Sequence, residues 1–109
     1  MGSAKINQLQ LLQQNLQNIL SQKQQMQEQL MEINSALTEL KKTETAYRIV
    51  GKIMIATHRD TLQSELHEKR EVLEIRVKNF TEQEEKLKKN LEKTQKEVLE
   101  ELKHDQPSN

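Results

Sequence analysis

Residues 47–55 read Tyr47-Arg48-Ile49-Val50-Gly51-Lys52-Ile53-Met54-Ile55, and this stretch decides the fold. Its β-branched residues are typical of strands. A glycine at the first central position of a two-residue turn fits a type II′ hairpin, in which Val50 faces Ile53. A helix that continues through the segment is the alternative, but Gly51 and the β-branched cluster both oppose it. We therefore predict a β-hairpin over residues 46–57.

A helix is predicted on each side of this hairpin, over residues 6–42 and over residues 61–103. In the first helix, mostly apolar residues recur at spacings that alternate between three and four, which places them on one stripe of the helix. These seam residues are Leu9, Leu12, Leu16, Ile19, Lys23, Met26, Leu30, Ile33, Leu37 and Leu40. Their expected partners in the second helix, found by subtracting each number from 103, are Thr94, Leu91, Leu87, Glu84, Phe80, Val77, Leu73, Arg70, Leu66 and Gln63.

The chain is therefore expected to be mainly α. Its predicted form is a long antiparallel two-helix coiled coil joined by a short β-hairpin, in a single domain over residues 1–109 with a flexible tail over residues 104–109. Asp60 is expected to cap the second helix. Three layers of the seam set a charged side chain against an apolar one, and Lys23 is expected opposite Phe80. Such layers should make the helices less stable together than an all-leucine coil.

The composition argues against several classes of protein. Among 109 residues, 33% are apolar and 2% are aromatic, which is too little for a wide globular core. The formal net charge of +0 argues against a nucleic-acid binder. The chain has no cysteine, which suits a reducing compartment, and no apolar run approaches the ~20 residues of a membrane span. We therefore expect a cytoplasmic protein that binds neither nucleic acid nor membranes.

No catalytic, cofactor-binding or metal-binding site can be assembled from the sequence. His58, His67 and His104 lack the i,i+3 or i,i+4 spacing of metal ligands on a helix. The only glycines are Gly2 and Gly51, which excludes a glycine-rich phosphate loop. We therefore predict that the protein is not an enzyme and uses no cofactor.

The hairpin predicts association with other chains. A two-stranded hairpin is marginally stable alone in water, and this one would have apolar side chains on both faces and two unpaired edges. Pairing with the hairpins of other chains, in a larger sheet or a closed intersubunit β-barrel, is the simplest resolution. The residues expected to mediate this oligomerisation are Tyr47, Ile49, Val50, Gly51, Ile53, Met54 and Ile55.

The hairpin stretch resembles the Tyr-Lys-x-Val-Gly-x-hydrophobic motif of the prefoldin β-type subunits, and archaeal members in particular. Residues 22–26 and residues 68–78 add to this resemblance, which spans roughly residues 6–103. One departure is the lead-in Thr43-Glu44-Thr45-Ala46, because many archaeal relatives have aspartates there.

The resemblance implies a heterohexamer of two α-type and four β-type subunits, in which each β-type chain supplies one hairpin to a double β-barrel base. It also implies that the complex captures unfolded polypeptides at the tips of its coiled coils, without ATP, and passes them to a group II chaperonin. The alternative function is a structural coiled-coil scaffold or tether that holds specific partner helices. A plain scaffold, however, has no use for the hairpin.

Apolar residues outside the seam cluster near the two chain ends, at the start of the first helix and the end of the second. We expect them to bind unfolded clients. A small apolar patch on a solvated helix suits weak, multivalent capture. Ordinary surface leucines or coil pairing between molecules are the alternatives. The residues outside the seam are Ile6, Leu11, Leu20, Leu99 and Leu102, and the seam residues beside them are Leu9, Leu12, Leu16 and Val98.

Overall fold

Two helices with a hairpin between them make up the part of the chain that the structure describes, residues 2–105, with side chains described for residues 4–103. In chain order, the computed structural model contains α1 (Gly2–Leu40), β1 (Ala46–Val50), β2 (Ile53–Thr57) and α2 (Arg59–Asp105). This architecture confirms the prediction of a mainly α fold with a β-hairpin between two long helices.

The hairpin has the register that the sequence predicts. The strands are antiparallel, with Val50 opposite Ile53 and Ile49 opposite Met54. Gly51 has a φ of 62°, and no other described residue has a positive φ, which fits a type II′ turn and excludes type I′. A Cβ added at Gly51 would meet no atom within 4 Å, so glycine is required there by the backbone conformation rather than by space.

The helix ends differ from the prediction by two to four residues. α1 begins at Gly2 instead of Ile6 and ends at Leu40 instead of Lys42. The amide of Lys42 donates a hydrogen bond of 3.0 Å to the carbonyl of Glu39, three residues back, so this segment closes as a turn.

The predicted cap of α2 was wrong. The helix begins at Arg59, and the amide of Leu62 donates to the carbonyl of His58 at 3.1 Å, which makes His58 the capping position. Asp60 lies inside the first turn, where its carboxylate faces the positive end of the helix dipole. The helix extends to Asp105, so the predicted tail starts no earlier than residue 106, and residues 106–109 lie outside the described residues.

The helices contribute to two compact units. Among the described residues, 2–23 and 79–105 form one, the terminal unit, and residues 24–78 form the other, the hairpin unit. All ten seam positions predicted on α1 are buried or half-buried, which confirms the heptad pattern. The single domain predicted over residues 1–109 stays a prediction.

Each unit has its own small core between antiparallel helices. In the terminal unit, Lys5 pairs with Glu101 and Lys23 pairs with Glu84. The residue numbers rise along one helix and fall along the other, as they do in antiparallel helices. The most buried apolar residues of the hairpin unit are Leu37, Leu40, Ala46 and Leu73, and Val98 is the corresponding one of the terminal unit.

A polar layer interrupts the seam of the terminal unit. The Nζ of Lys23 lies 2.9 Å from Oε2 of Glu84, and the Nζ of Lys88 lies 3.0 Å from Oε1 of the same carboxylate. Glu84 is only 9% exposed. Lys23 therefore does not simply lie against Phe80 as predicted, because its ammonium reaches the charged residue of another layer. Hydrogen bonds from Lys23 first, and from Lys88 next, hold the pKa of Glu84 below its ordinary value.

Replacing this ion pair with apolar side chains is expected to stabilise the protein. The free energy of unfolding of the double variant Lys23→Met/Glu84→Leu should equal that of the parent or exceed it by up to about 1–4 kcal/mol at pH 7. The reason is that burying charges costs desolvation energy, which apolar side chains avoid. Lys23→Met alone should lose about 1–3 kcal/mol, because it leaves a buried carboxylate with one partner fewer. Thermal unfolding followed by circular dichroism, at one protein concentration, measures both changes.

Lowering the pH should widen the difference in stability between the parent and the double variant. The depressed pKa of Glu84 gives stability that is present above the unfolded-state pKa and is lost as pH falls through the folded-state pKa. Between about pH 5 and pH 3 the parent should therefore lose more stability than the double variant, which has no carboxyl at residue 84. A double variant less stable than Lys23→Met alone at pH 7 would contradict this account of the layer.

Candidate functional site

The hairpin presents large apolar side chains on both of its faces. Tyr47, Ile49 and Met54 share one face, and Val50, Ile53 and Ile55 share the other. All six are exposed, and Ile49 is 69% exposed. The structure thus brings together every residue that the sequence predicts for oligomerisation, and their role in it stays a prediction.

The edges of this sheet are unpaired within the described residues. The sheet contains only β1 and β2, which pair with each other, so each strand has one outer edge without a partner strand. Backbone N–H and C=O groups along such an edge can pair with a strand of another chain. Free edges beside two apolar faces form a surface suited to joining hairpins from several chains.

The base of the hairpin is fastened to the rest of the hairpin unit. Arg48 on β1 forms an ion pair with Glu65 on α2, which raises the pKa of Arg48 and lowers the pKa of Glu65. Arg59 Nη1 also donates to the carbonyl of Thr43 at 3.3 Å. Ala46, at the start of β1, is buried. These contacts fix where the hairpin leaves the helices.

The Arg48–Glu65 pair was missed by sequence reasoning. Arg48 is the one charged side chain between Ala46 and Val50, so its position on a strand was a signal that it had a partner. Nothing in the helix pattern singled out Glu65, because α2 carries many glutamates on its solvent-facing sides.

The residues predicted to bind clients fall into three groups in the terminal unit. Five are exposed at its surface: Ile6, Leu11, Leu20, Leu99 and Leu102. Three are half-buried in the seam: Leu9, Leu12 and Leu16. Val98 is 9% exposed and belongs to the buried core, so only the first group offers side chains at the surface as the molecule stands. The client-binding role of all nine stays a prediction.

An ion-pair cluster joins the start of α1 to the end of α2. The Nζ of Lys5 lies 3.0 Å from Glu101 and 3.5 Å from Glu97, and the hydrogen bond to Glu101 is the main cause of the raised pKa of Lys5. These side chains are about one-third exposed, so water screens the attraction between their charges. The cluster therefore keeps the helix ends together only weakly.

The hairpin unit has a second set of exposed apolar residues on its helices. Met31 on α1 and both Val72 and Ile75 on α2 are exposed. Their exposure is similar to that of Leu11 and Leu99, so they are matched controls for a test of the terminal unit.

The described residues contain neither a candidate metal site nor a membrane-spanning helix. Nowhere in residues 2–105 do three or more His, Cys, Asp or Glu side chains come together in a way that could hold a metal ion. Nor is either described helix long and apolar enough to cross a membrane.

Comparison with known families decides what kind of protein this is. The family model described as "Prefoldin subunit" matches residues 3–105. The chain belongs to the prefoldin family. The sequence resemblance is therefore confirmed, and this prefoldin chain is a chaperone subunit of that family.

Two archaeal prefoldin subunits are among the curated relatives of this prefoldin chain. It is 38% identical over 100 residues to the prefoldin subunit beta of Pyrobaculum islandicum. The aligned region covers 89% of this chain and 80% of the relative. It is also 38% identical over 96 residues to the prefoldin subunit beta of Archaeoglobus fulgidus. Here the aligned region covers 85% of this chain and 83% of the relative.

A solved structure of a relative agrees with the fold. The crystal structure of the prefoldin beta subunit from Thermococcus strain KS-1 has a TM-score of 0.85 and 33% sequence identity to this prefoldin chain. The match covers 97% of this chain and 94% of the other. The helices, the hairpin and their order are therefore those of a prefoldin β subunit.

Proposed function

We propose that the chain is the β-type subunit of a cytoplasmic prefoldin hexamer, with two α-type and four β-type subunits, that captures unfolded polypeptides without ATP. The complex holds its clients in a non-aggregated state and delivers them to a group II chaperonin. The observation that carries this proposal is the set of exposed apolar side chains near the paired helix ends of the terminal unit. The family resemblance supplies the stoichiometry and the chaperonin.

The hairpin supports the assembly part of the proposal. Six exposed apolar side chains on a two-stranded sheet are costly to leave in water, because burial of each contributes about 1.5–3 kcal/mol. Hairpins of several chains, α-type and β-type, remove this cost together when they form a closed sheet, which also pairs both edges. A barrel built in this way is the base from which the helices extend.

The terminal unit supports the capture part. Each exposed leucine can bury only part of its surface against a client, so one contact is weak and the subunits of a hexamer act together. Weak contacts that add up suit capture and release. They also select unfolded polypeptides, because folded proteins rarely expose contiguous apolar segments.

A light-scattering experiment tests the proposed function. The chain is combined with an α-type prefoldin partner, and a guanidinium-unfolded model enzyme is diluted into the mixture without nucleotide. We expect aggregation to be suppressed, and the held client to leave the complex when a group II chaperonin is added. Unchanged aggregation in the presence of the assembled complex would favour the scaffold alternative, which has no affinity for unfolded chains.

A further inference from the structure

Two depressions lie between α1 and α2 on the surface of the terminal unit. The larger has a volume of about 400 Å³. It is lined by Asn15, Asn18, Ile19, Gln83, Lys86 and Leu87. The smaller has a volume of about 240 Å³. It is lined by Gln8, Leu12, Asn90, Lys93, Thr94 and Glu97.

The two depressions lie on the same side of the helix pair. Gln8 and Asn15 are seven residues apart on α1, and Gln83 and Asn90 are seven apart on α2, so each pair spans about two helical turns on one stripe. Leu11 falls on the same stripe of α1, between Gln8 and Asn15, and it is 57% exposed. The depressions therefore follow one another along one side of the helix pair, with Leu11 between them on α1, and we call this surface the amide groove.

Side-chain carboxamides line both rims of the amide groove. Five of the residues that line the depressions are of this type: Gln8, Asn15, Asn18, Gln83 and Asn90. All five are exposed. Within the described chain, none of them forms a side-chain hydrogen bond, ion pair or ring contact with another residue. Their donors and acceptors are therefore available to a bound molecule.

The α1 rim is also uncharged. From Ile6 to Gln22, the chain has no Asp, Glu, Lys or Arg. The α2 rim, in contrast, carries Lys86, Lys93 and Glu97 beside its two carboxamides. A carboxamide offers two N–H donors and a carbonyl acceptor without selecting for charge, so the α1 rim can bind a backbone whatever charge the client carries. The floor of the larger depression is apolar, because Ile19 and Leu87 are half-buried seam residues, and the smaller depression combines the half-buried Leu12 with the buried Thr94.

We propose that the amide groove binds the backbone of an extended segment of an unfolded polypeptide through the carboxamides of its rims. This inference rests on the proposed function and names the chemistry by which the same surface recognises its client. Every unfolded chain carries backbone N–H and C=O groups that need hydrogen-bond partners, whatever its side chains are. The carboxamide rims supply these partners, and the apolar floor receives side chains from one face of the segment.

The dimensions of the groove match this occupant. From Gln8 to Asn18 the α1 rim is about 15 Å long at 1.5 Å per residue. An extended segment of about five residues has that length at about 3.3 Å per residue. Alternate side chains of such a segment point to the same side, so two or three of them would reach the floor.

Two triple-alanine variants of the full chain test the proposal, each assembled with an α-type prefoldin partner. The first, Gln8→Ala/Asn15→Ala/Asn18→Ala, removes the α1 rim. The control, Gln10→Ala/Gln13→Ala/Gln17→Ala, removes three exposed amides from the opposite side of the same helix. Alanine favours helix more than either amide, so both variants should keep their helix content, which circular dichroism checks.

The probes are two synthetic nonapeptides of identical uncharged, apolar sequence, one of which is N-methylated at alternate backbone amides. Fluorescence anisotropy measures the dissociation constant of each. We expect the parent and the control to bind the unmodified peptide about tenfold more tightly than the methylated one, which corresponds to about 1.4 kcal/mol. The rim variant should bind both peptides equally and weakly.

The outcomes separate this inference from the proposed function. A rim variant that binds like the control, or a parent that does not distinguish the two peptides, would overturn backbone recognition, even if the parent still protects an aggregating enzyme. A parent complex that neither binds the peptides nor suppresses aggregation would overturn both. Equal losses in the rim variant and the control would show that the groove is not the binding surface.

Discussion

The double variant Ile49→Lys/Met54→Glu is expected to remain as separate chains when it is mixed with an α-type partner, under conditions where the parent assembles into the proposed hexamer. These two residues lie directly opposite each other, on the hairpin face that also carries Tyr47. Opposite charges at a cross-strand pair can attract each other, so the hairpin itself should persist. Burying both charges in a shared sheet would, however, cost several kcal/mol per chain.

The size of this effect should be large enough to see by mass alone. The lost burial of two apolar side chains is worth about 3–6 kcal/mol per chain. Each 1.4 kcal/mol is a factor of ten, so association should weaken by at least about 100-fold. Size-exclusion chromatography with light scattering gives the mass, and circular dichroism shows whether the helices are retained.

A second hairpin variant tells the two faces apart. Val50→Lys/Ile53→Glu makes the same change on the face that carries Ile55, at another directly opposed pair. If only one of the two variants dissociates, that face is the one buried between chains. Met31→Lys is the control outside the hairpin, since Met31 is as exposed as Ile49. Hexamers that survive both hairpin variants would contradict assembly through this sheet.

The hairpin was predictable to the residue because local chemistry decides it. A two-residue turn fixes the register of both strands, and Gly51 is the position that requires a positive φ. The observed pairs, such as Val50 with Ile53, follow directly from the turn position. Long-range packing contributes little to this choice, because the hairpin's large apolar side chains remain exposed.

The helix ends were less predictable because small energies decide them. A capping side chain contributes about 1 kcal/mol, so a capping box at Asp60 cannot outweigh two further residues of helix when these gain contacts of their own. Arg59, which precedes the predicted cap, donates from its guanidinium to the carbonyl of Thr43. That contact joins segments far apart in sequence, and the residues near Asp60 give no sign of it.

Heptad spacing predicted which residues lie in the seam, but not how their charged heads pair. Lys23 and Glu84 were assigned to different layers, yet their charged atoms are 2.9 Å apart. A lysine head sits on a flexible four-carbon stem and can reach the next layer, so a backbone alignment does not determine which residue it pairs with.

The amide groove, too, could not be derived from the sequence. Its rims combine residues of both helices, and their pairing across the seam depends on the actual register.

The triple variant Leu11→Ser/Leu20→Ser/Leu99→Ser is expected to abolish protection of an aggregating client and to leave the hexamer intact. All three leucines are exposed, so their replacement removes little buried surface from the folded chain. The main structural cost is the lower helix propensity of serine, at most about 0.5 kcal/mol per site. A client, in contrast, would lose about 1 kcal/mol or more at each leucine that it partly buries.

Multivalency makes the loss of protection nearly complete. If each β-type subunit of the proposed hexamer loses about 3 kcal/mol of client contact, the combined affinity falls by far more than the 100-fold expected for a single site. Light scattering of a diluted, guanidinium-unfolded enzyme measures the protection, and the mass of the complex checks assembly.

The matched control is Met31→Ser/Val72→Ser/Ile75→Ser, which makes the same kind of change at exposed apolar residues of the hairpin unit. If clients bind at the terminal unit, this control should protect as well as the parent does. Equal loss in both variants would mean that general surface hydrophobicity captures clients rather than a defined site. If the leucine variant protected the client fully, these three side chains would be excluded from client capture.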